Sequence, residues 1–310
     1  MIYNRPEYWL AQTETVVPYL TFSSPNSFTL AVEDTTKHWD GTVEYSTDTS
    51  VWATWDGTTM LSSTTSGSDN VLYLRGTGNT KIGYYDEAVE YDYIPWVING
   101  TDVRCNGNIE TLLDYATVKA GQHPTMGEKC FAGLFKGCTA LITSPELPAM
   151  TLASECYYYM FSDCTSLTQA PSLPATTLAD NCYNNMFNGC TSLKLSSTKT
   201  DEYTQAYRVP SSGDGTTATD ALTNMFSSTG GTFTGTPSIN TTYYLSSDNI
   251  VVRETEIATL NGYVGSMIDT AIGEYADTAE YIIHSSTSGS TKKFKIIVDD
   301  SGIISATEVT

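Results

Sequence analysis

The sequence predicts a mainly β protein in three parts: an antiparallel β-sandwich over residues 1–95, a stacked solenoid over 96–250, and a short helix plus β-hairpin over 251–310. Three observations predict it. The front alternates apolar and polar residues between short glycine turns, the middle repeats sulfur and aromatic residues at one fixed interval, and the end changes to a heptad-like and then an alternating pattern.

In the front part, "SFTLAVED" sets Phe28, Leu30 and Val32 on one side, "TVEYSTD" does the same with Val43 and Tyr45, and "VLYLRGTGNT" runs into a glycine turn. Short strands broken by "WDG" at 39–41 and 55–57 fit an antiparallel sandwich. Trp39, Trp52 and Trp55 form either an aromatic platform for sugar or, as large aromatics in a small sandwich more often do, part of its core.

The middle part is set by a period of 26 residues. Cys130, Cys156 and Cys182 keep that step, as do Cys138, Cys164 and Cys190, then Phe135, Phe161 and Phe187, then Leu141, Leu167 and Leu193. Pro145, Leu147 and Pro148 return as Pro171, Leu173 and Pro174. A period of about 20 to 29 residues with recurrent leucines is the mark of a leucine-rich-repeat solenoid, in which equivalent side chains stack into columns. Within a unit Cys182, Met186 and Cys190 are four apart, which predicts one face of a short helical segment turned inward. Such thiols are packing groups. A zinc site would want close pairs and a histidine nearby, and seven cysteines, with Cys105 outside both columns, predict reduced thiols rather than disulfides.

An opening cap is expected at "CNGNIETLLDYATV", where Ile109, Leu112 and Leu113 have helical spacing. A final degenerate unit is expected at "NMFSS", where Phe226 lies 39 residues beyond Phe187 and Ala221 and Thr229 replace the cysteines. The inserted "TKTDEYTQAYRVPSSGDGTT", with Tyr203, Tyr207 and Arg208, is expected to project as a loop that either binds a partner or is merely tolerated. Tyr158 and Tyr159 align with small or polar residues in the other units, so they are expected to face solvent and to offer contact area for sugars or proteins.

In the last part Ile257, Leu260, Val264, Met267 and Ala271 follow steps of 3, 4, 3 and 4, an a/d seam expected to serve oligomerisation. Gly262, Gly265 and Gly273 each weaken such a helix by about 1 kcal/mol, so it needs outside support. Phe294, Ile296 and Val298 then alternate into "DDSG", and Ile303 onward returns as a hairpin.

No chemistry-bearing motif emerges. His38, His123 and His284 fall in three regions with no nucleophile elbow, and "GTGNTK" lacks the third glycine and following helix of a dinucleotide loop. The chain is expected to be no enzyme and to hold no metal and no cofactor. A formal charge of -20 argues against nucleic acid as partner. Neither a leader nor a run of about 18 to 20 apolar residues is seen, so no membrane partner is expected.

The unit "CYxxMFxxCTSLxxAPxLPATTLA", at 156–179 and in part at 130–153 and 182–193, resembles the BspA-like leucine-rich repeats of bacterial surface proteins and bacteriophage structural proteins. The front part is similar to a domain that precedes such repeats in phage-encoded proteins, and "STSGSTKKFKIIVDDSGIISATEV" is similar to the ends of phage head fibres. The resemblance implies a parallel strand per unit and an adhesive role. It implies a head fibre or other capsid-surface appendage, made in the bacterial host cytoplasm and placed on the virion surface. Capsid or other virion proteins would be one partner and a host-surface or mucosal glycan or protein the other, with a homotrimer as the assembly. A tail receptor-binding protein and a bacterial cell-surface adhesin are the alternatives.

Overall fold

A computed structural model describes residues 18–34, 38–83, 85–86 and 92–247 and the strands at 281–284, 293–298 and 304–309. The chain is mainly β, with several sheets and one short α-helix. Contacts divide it into two compact units, 1–251 and 252–310.

The first unit opens with strands β1 (Leu20–Ser24), β2 (Thr29–Val32), β3 (Thr42–Ser46), β4 (Ala53–Trp55), β5 (Leu61–Ser62), β6 (Thr64–Ser66) and β7 (Asp69–Thr77). After β8 (Tyr85–Asp86) and β9 (Asp92–Tyr93), which pair only with each other, come β10 (Trp96–Asn99) and β11 (Val103–Asn106). Helix α1 (Thr111–Lys119) and strand β12 (Leu141–Thr143) follow. One sheet runs β12-β11-β1-β7-β3-β4 with β6 on β7, and a second runs β10-β2-β5. The alternation read from the sequence is what buries Phe28, Leu30, Val32 and Val43. Trp55 of the first sheet meets Trp96 of the second at 5.3 Å, so the two sheets share a core. Since β10 and β11 pair with β2 and β1, the boundary expected at residue 95 is bridged by both sheets.

Helix α1 buries Leu112 and Leu113 as their spacing predicts, and Ile109 lies buried just ahead of it. It bends at Asp114, whose backbone is extended and whose Oδ1 accepts the Thr117 N–H at 2.9 Å, capping the second half. The helix meets β7 backbone to backbone at Gly76, where any Cβ would stand 1.6 Å from the Leu112 carbonyl oxygen.

The 26-residue units stack, but by successive turns, which corrects the expected helical segment. The N–H groups of Phe131, Gly133, Phe135 and Gly137 donate to the carbonyls of Cys156, Tyr158, Met160 and Ser162 in the next unit at 2.8–2.9 Å. The residues between them, Ala132, Leu134, Lys136 and Cys138, donate back three residues within their own unit. Every fourth residue takes positive φ: Lys129, Gly133 and Gly137, then Glu155, Tyr159 and Asp163, then Asn181, Asn185 and Gly189, all between 53° and 80°. A spacing of four therefore comes from one left-handed residue per turn, and an α-helix, which consumes its amides internally, could not make this ladder. Of the strands implied for each unit, one forms at Leu141–Thr143 and one at β13 (Lys194–Ser196), and none at the matching place between them.

The ladder continues into a fourth unit. Asn181, Tyr183, Asn185, Phe187 and Gly189 donate to Thr219, Ala221, Thr223, Met225 and Ser227, a step of 38 where the earlier units step 25. Thirteen extra residues are thus absorbed without breaking register. They do not project as a loop: β14 (Tyr203–Arg208), β15 (Gly230–Gly231) and β16 (Thr242–Ser246) join β13 in a sheet ordered β14-β16-β13-β15. Tyr203 and Tyr207 point inward from β14, and that burial is what makes the insertion a strand.

Two ring columns run through the stack. Phe135, Phe161, Phe187 and Phe226 lie nearly parallel at 5.4–5.7 Å, and Phe131, Tyr157 and Tyr183 stack at 5.8 Å. Trp96 meets one end of the first column edge-on at 6.1 Å and Tyr207 meets the other edge-on at 5.8 Å. Both end contacts have the perpendicular geometry that aromatic pairs favour.

The second unit contributes β17 (Tyr281–His284), β18 (Lys293–Val298) and β19 (Ile304–Val309), an antiparallel sheet in that order. Val298 pairs with Ile304, so β18 and β19 are antiparallel neighbours as the hairpin reading expected, whereas β17 was not foreseen. Ile257, Leu260, Val264, Met267 and Ala271 lie outside the described residues.

Phe161→Ala, at the centre of the longer column, is expected to cost about 3–5 kcal/mol in chemical denaturation. A loss below about 1 kcal/mol would show that the ring is not packed as described.

Candidate functional site

An outward row of aromatic side chains lies on the first sheet. On β7, Leu72 and Leu74 turn to the core, so Tyr73 and Arg75 emerge on the opposite face half-buried. Glu44 on β3 sits directly across from Arg75 and accepts its Nε–H at 2.8 Å. The guanidinium is held between two rings, 4.1 Å from Trp52 and 4.2 Å from Tyr115 of α1. Tyr19 extends the row, 5.6 Å from Trp52 and 5.3 Å from Tyr73. Trp52 Nε1–H donates to the Thr49 carbonyl at 3.1 Å, which fixes the indole. Four aromatics and one clamped cation thus gather about the outer face of β7, with Tyr73 and Arg75 from the strand itself, Tyr19 and Trp52 from just before β1 and β4, and Tyr115 from α1, an arrangement suited to contact with sugar rings or a protein surface.

The three tryptophans weighed as a sugar platform separate in the structure. Trp39 and Trp55 are 5 % and 1 % exposed and touch at 5.2 Å inside the core, so only Trp52 takes part in the outward row. Tyr19, Tyr73, Arg75 and Tyr115 were missed by sequence reasoning. The signal for two of them was the β7 alternation itself, while Tyr115 arrives from a helix 40 residues away.

Of the residues expected to bind, Tyr203, Tyr207 and Arg208 are placed otherwise. Tyr203 and Tyr207 are buried, and Tyr207 donates its hydroxyl to the Pro171 carbonyl at 3.3 Å while burial drives its pKa upward. Arg208 is engaged by its own surroundings: it donates to the carbonyls of Pro210 and Gly213, to Asp214 and to Asn240. Tyr207 ties the insertion to the stack, and Arg208 closes the insertion on itself and on Asn240. Tyr158 and Tyr159 are half-buried and contact each other edge-on at 4.6 Å, with Lys136 Nζ 6.0 Å from the Tyr159 ring.

All seven thiols are buried and unbridged. Burial raises every one of their pKa values, to about 12 for Cys138 and Cys182, which leaves them protonated and unreactive. One of the two cysteine columns serves as donors. Cys138, Cys164 and Cys190 each give the S–H to a carbonyl one layer back, on Trp96, Phe135 and Phe161, at 3.0 Å. In the last layer Thr229 donates instead to Phe226 of its own unit, so the chain of thiol bonds ends there.

"GTGNTK" is a structural turn. Asn79 at its centre accepts from the Gly41 N–H and donates to the carbonyls of Thr42 and Leu112, and Asp40 accepts from Thr80 and Lys81. His38 and His123 each contact a carboxylate at 2.7 Å, His38 that of Asp34 four residues before it and His123 that of Glu110 ahead of α1. Among the described residues no three His, Cys, Asp or Glu side chains gather as a metal site, and no helix is long and apolar enough to cross a membrane. No family model, curated protein or solved structure matches this chain.

None of the seven thiols should react with a disulfide reagent in the native protein at pH 8, and all seven should react in denaturant. Fewer than seven after unfolding would reveal a crosslink. Arg208→Ala should speed proteolytic nicking between residues 209 and 215 while the exposed Asp214 partner contributes little, about 0–1 kcal/mol; an unchanged cleavage pattern would count against its clamping role.

Proposed function

We propose that this chain is a non-enzymatic virion structural protein, a head fibre or other capsid-surface appendage, that attaches to host-surface or mucosal glycans. The observation that carries the reading is the outward row Tyr19–Trp52–Tyr73–Tyr115 with Arg75 locked between two rings. Pre-ordered aromatics lose little entropy on contact, and every pyranose presents a C–H face that a ring can cover. Single-site affinity of such a row is weak, so copy number on a particle would supply the binding strength. The acidic surface, -20 overall, keeps copies soluble and apart.

The stacked units are read here as a BspA-like leucine-rich-repeat solenoid in which the usual strand is largely replaced by turns. Support comes from the 26-residue recurrence, the inward columns of cysteine, phenylalanine and leucine, and the capped ends. The region 251–310 is assigned the assembly role on its sequence pattern, with Ile257, Leu260, Val264, Met267 and Ala271 as the seam of a homotrimer and capsid proteins as its partner.

Binding to immobilised mucin glycans should fall about tenfold or more in Trp52→Ala, with Tyr207→Phe as a control that leaves it unchanged. Equal binding by both variants would remove the aromatic row from the function. Deleting residues 251–310 should convert trimers to monomers in light scattering, and oligomers that persist would count against the assembly role.

A further inference from the structure

Arg75 is the cation of the outward row, and its surroundings leave one edge of it open. The two faces of its guanidinium are covered, by Trp52 at 4.1 Å and Tyr115 at 4.2 Å. Its Nε–H is spent on Glu44 Oε2 at 2.8 Å. The two Nη groups have no acceptor among the described residues, yet neither is enclosed, so both meet solvent within the 19 % of the side chain that stays exposed. The hydroxyls of Tyr19, Tyr73 and Tyr115 likewise have no partner among the described residues and are not enclosed.

An acceptor that uses Arg75 must therefore enter in the plane of the guanidinium, between the two rings, and meet two N–H groups together. A carboxylate has that shape, and so has a pair of adjacent hydroxyls. Charge decides between them. Glu44 already balances Arg75, so the pair carries no net charge. Asp48 accepts the N–H of Val51, the residue before Trp52, at 3.1 Å, and Asp114, the residue before Tyr115, accepts the N–H of Gly78 at 3.1 Å. The N–H groups of Val51 and then Ser50 hold the Asp48 carboxyl down to about 2, so it is anionic at neutral pH. Three carboxylates thus flank the cation and the rings that clamp it, on a chain of net charge -20. A carboxylate or sulfate on a ligand would be repelled, whereas a neutral diol keeps both hydrogen bonds without that repulsion.

We propose, resting on the glycan reading above, that the row selects uncharged pyranoses and rejects sialylated, uronic and sulfated ones. The Nη groups of Arg75 donate to two adjacent ring hydroxyls, and the aromatic rings take the C–H face of the sugar. Val51, 71 % exposed beside Trp52, widens the apolar rim. Arg75 is then the residue that sets specificity. Glu44 is a positioning residue: its bond to Nε fixes the fork, and its charge removes the attraction that an acid would otherwise feel.

The test uses the intact protein on immobilised mucin that is native, sialidase-treated or fully deglycosylated. Methyl galactoside and methyl galacturonide serve as free competitors, since they differ only in a hydroxymethyl against a carboxylate. Binding is expected to rise about threefold or more when sialic acid is removed and to vanish on deglycosylation. The galactoside, and not the galacturonide, should compete at concentrations on the order of tens of millimolar. Arg75→Lys, which keeps the charge and loses the fork, should bind about tenfold more weakly. Glu44→Gln should admit the galacturonide as a competitor. The inference is overturned if native mucin binds as well as the sialidase-treated form, if the galactoside fails to compete or the galacturonide competes equally, or if Arg75→Lys binds like the parent. Should Arg75→Lys fail to fold, Glu44→Gln decides, and a variant that still excludes the galacturonide overturns it. Wrong selectivity together with a loss in Trp52→Ala would leave the glycan reading standing, whereas equal binding to deglycosylated mucin, or none to any form, would remove both.

Discussion

The fold depends on an alternation of backbone amides in the stacked units: one residue donates to the layer ahead, the next donates back within its own turn. Each N–H from Phe131 to Cys138, and again from Glu155 to Cys164, has one of these two partners, so the backbone is satisfied without long strands or helices. The cost is a left-handed residue in every turn, borne even by Glu155 and Tyr159, which strongly prefer other conformations. Stacking on both sides is what holds them there. Once the ladder is in register, the rings fall one above another and the thiols fall beneath the carbonyls of the previous layer.

That constraint also explains why cysteine recurs. The carbonyl of Phe135 already accepts from the Cys138 N–H of its own turn, and the Cys164 S–H fills its second lone pair. A serine of that size would add a more strongly hydrated group, and an alanine would leave a gap, whereas the thiol is small, weakly polar and content in an apolar layer. At both ends the stack is stopped rather than left open: Trp96 and Tyr207 turn perpendicular to the column, and Thr229 folds its hydroxyl back on its own unit. Terminal layers with altered side chains are what a stacked architecture requires, because an unclosed layer would expose both ring faces and ladder acceptors.

Much of this was written plainly in the sequence. The 26-residue period, the inward Cys, Phe and Leu positions, the degenerate fourth unit and the helical Leu112–Leu113 pair follow from spacing alone. The turns did not, although their signal was present: Gly133, Gly137, Asn181, Asn185, Gly189 and Asn224 sit at every fourth place, and these are the residues that tolerate positive φ. A four-residue step mimics a helix face, and without weighing residue type the two are alike. Tyr203 to Arg208 misled for another reason. Their polar surroundings read as loop, and only the neighbouring β16, more than thirty residues on, makes them a strand. Of the aromatic row, Trp52 and the β7 alternation that turns Tyr73 and Arg75 outward were legible, but their meeting with Tyr19 and Tyr115 was not, because it joins residues from separate elements.

The account turns on one layer being a self-contained and replaceable part of the stack. The direct measurement is the stability of a chain lacking residues 156–181, one whole period, beside a chain lacking thirteen residues from the same place. The first keeps every ladder bond, ring contact and thiol bond in register and should unfold cooperatively with its five remaining thiols protected. The second breaks register and should not fold. If both deletions collapse alike, the layers are not equivalent, and the recurrence in the sequence is not what builds the fold.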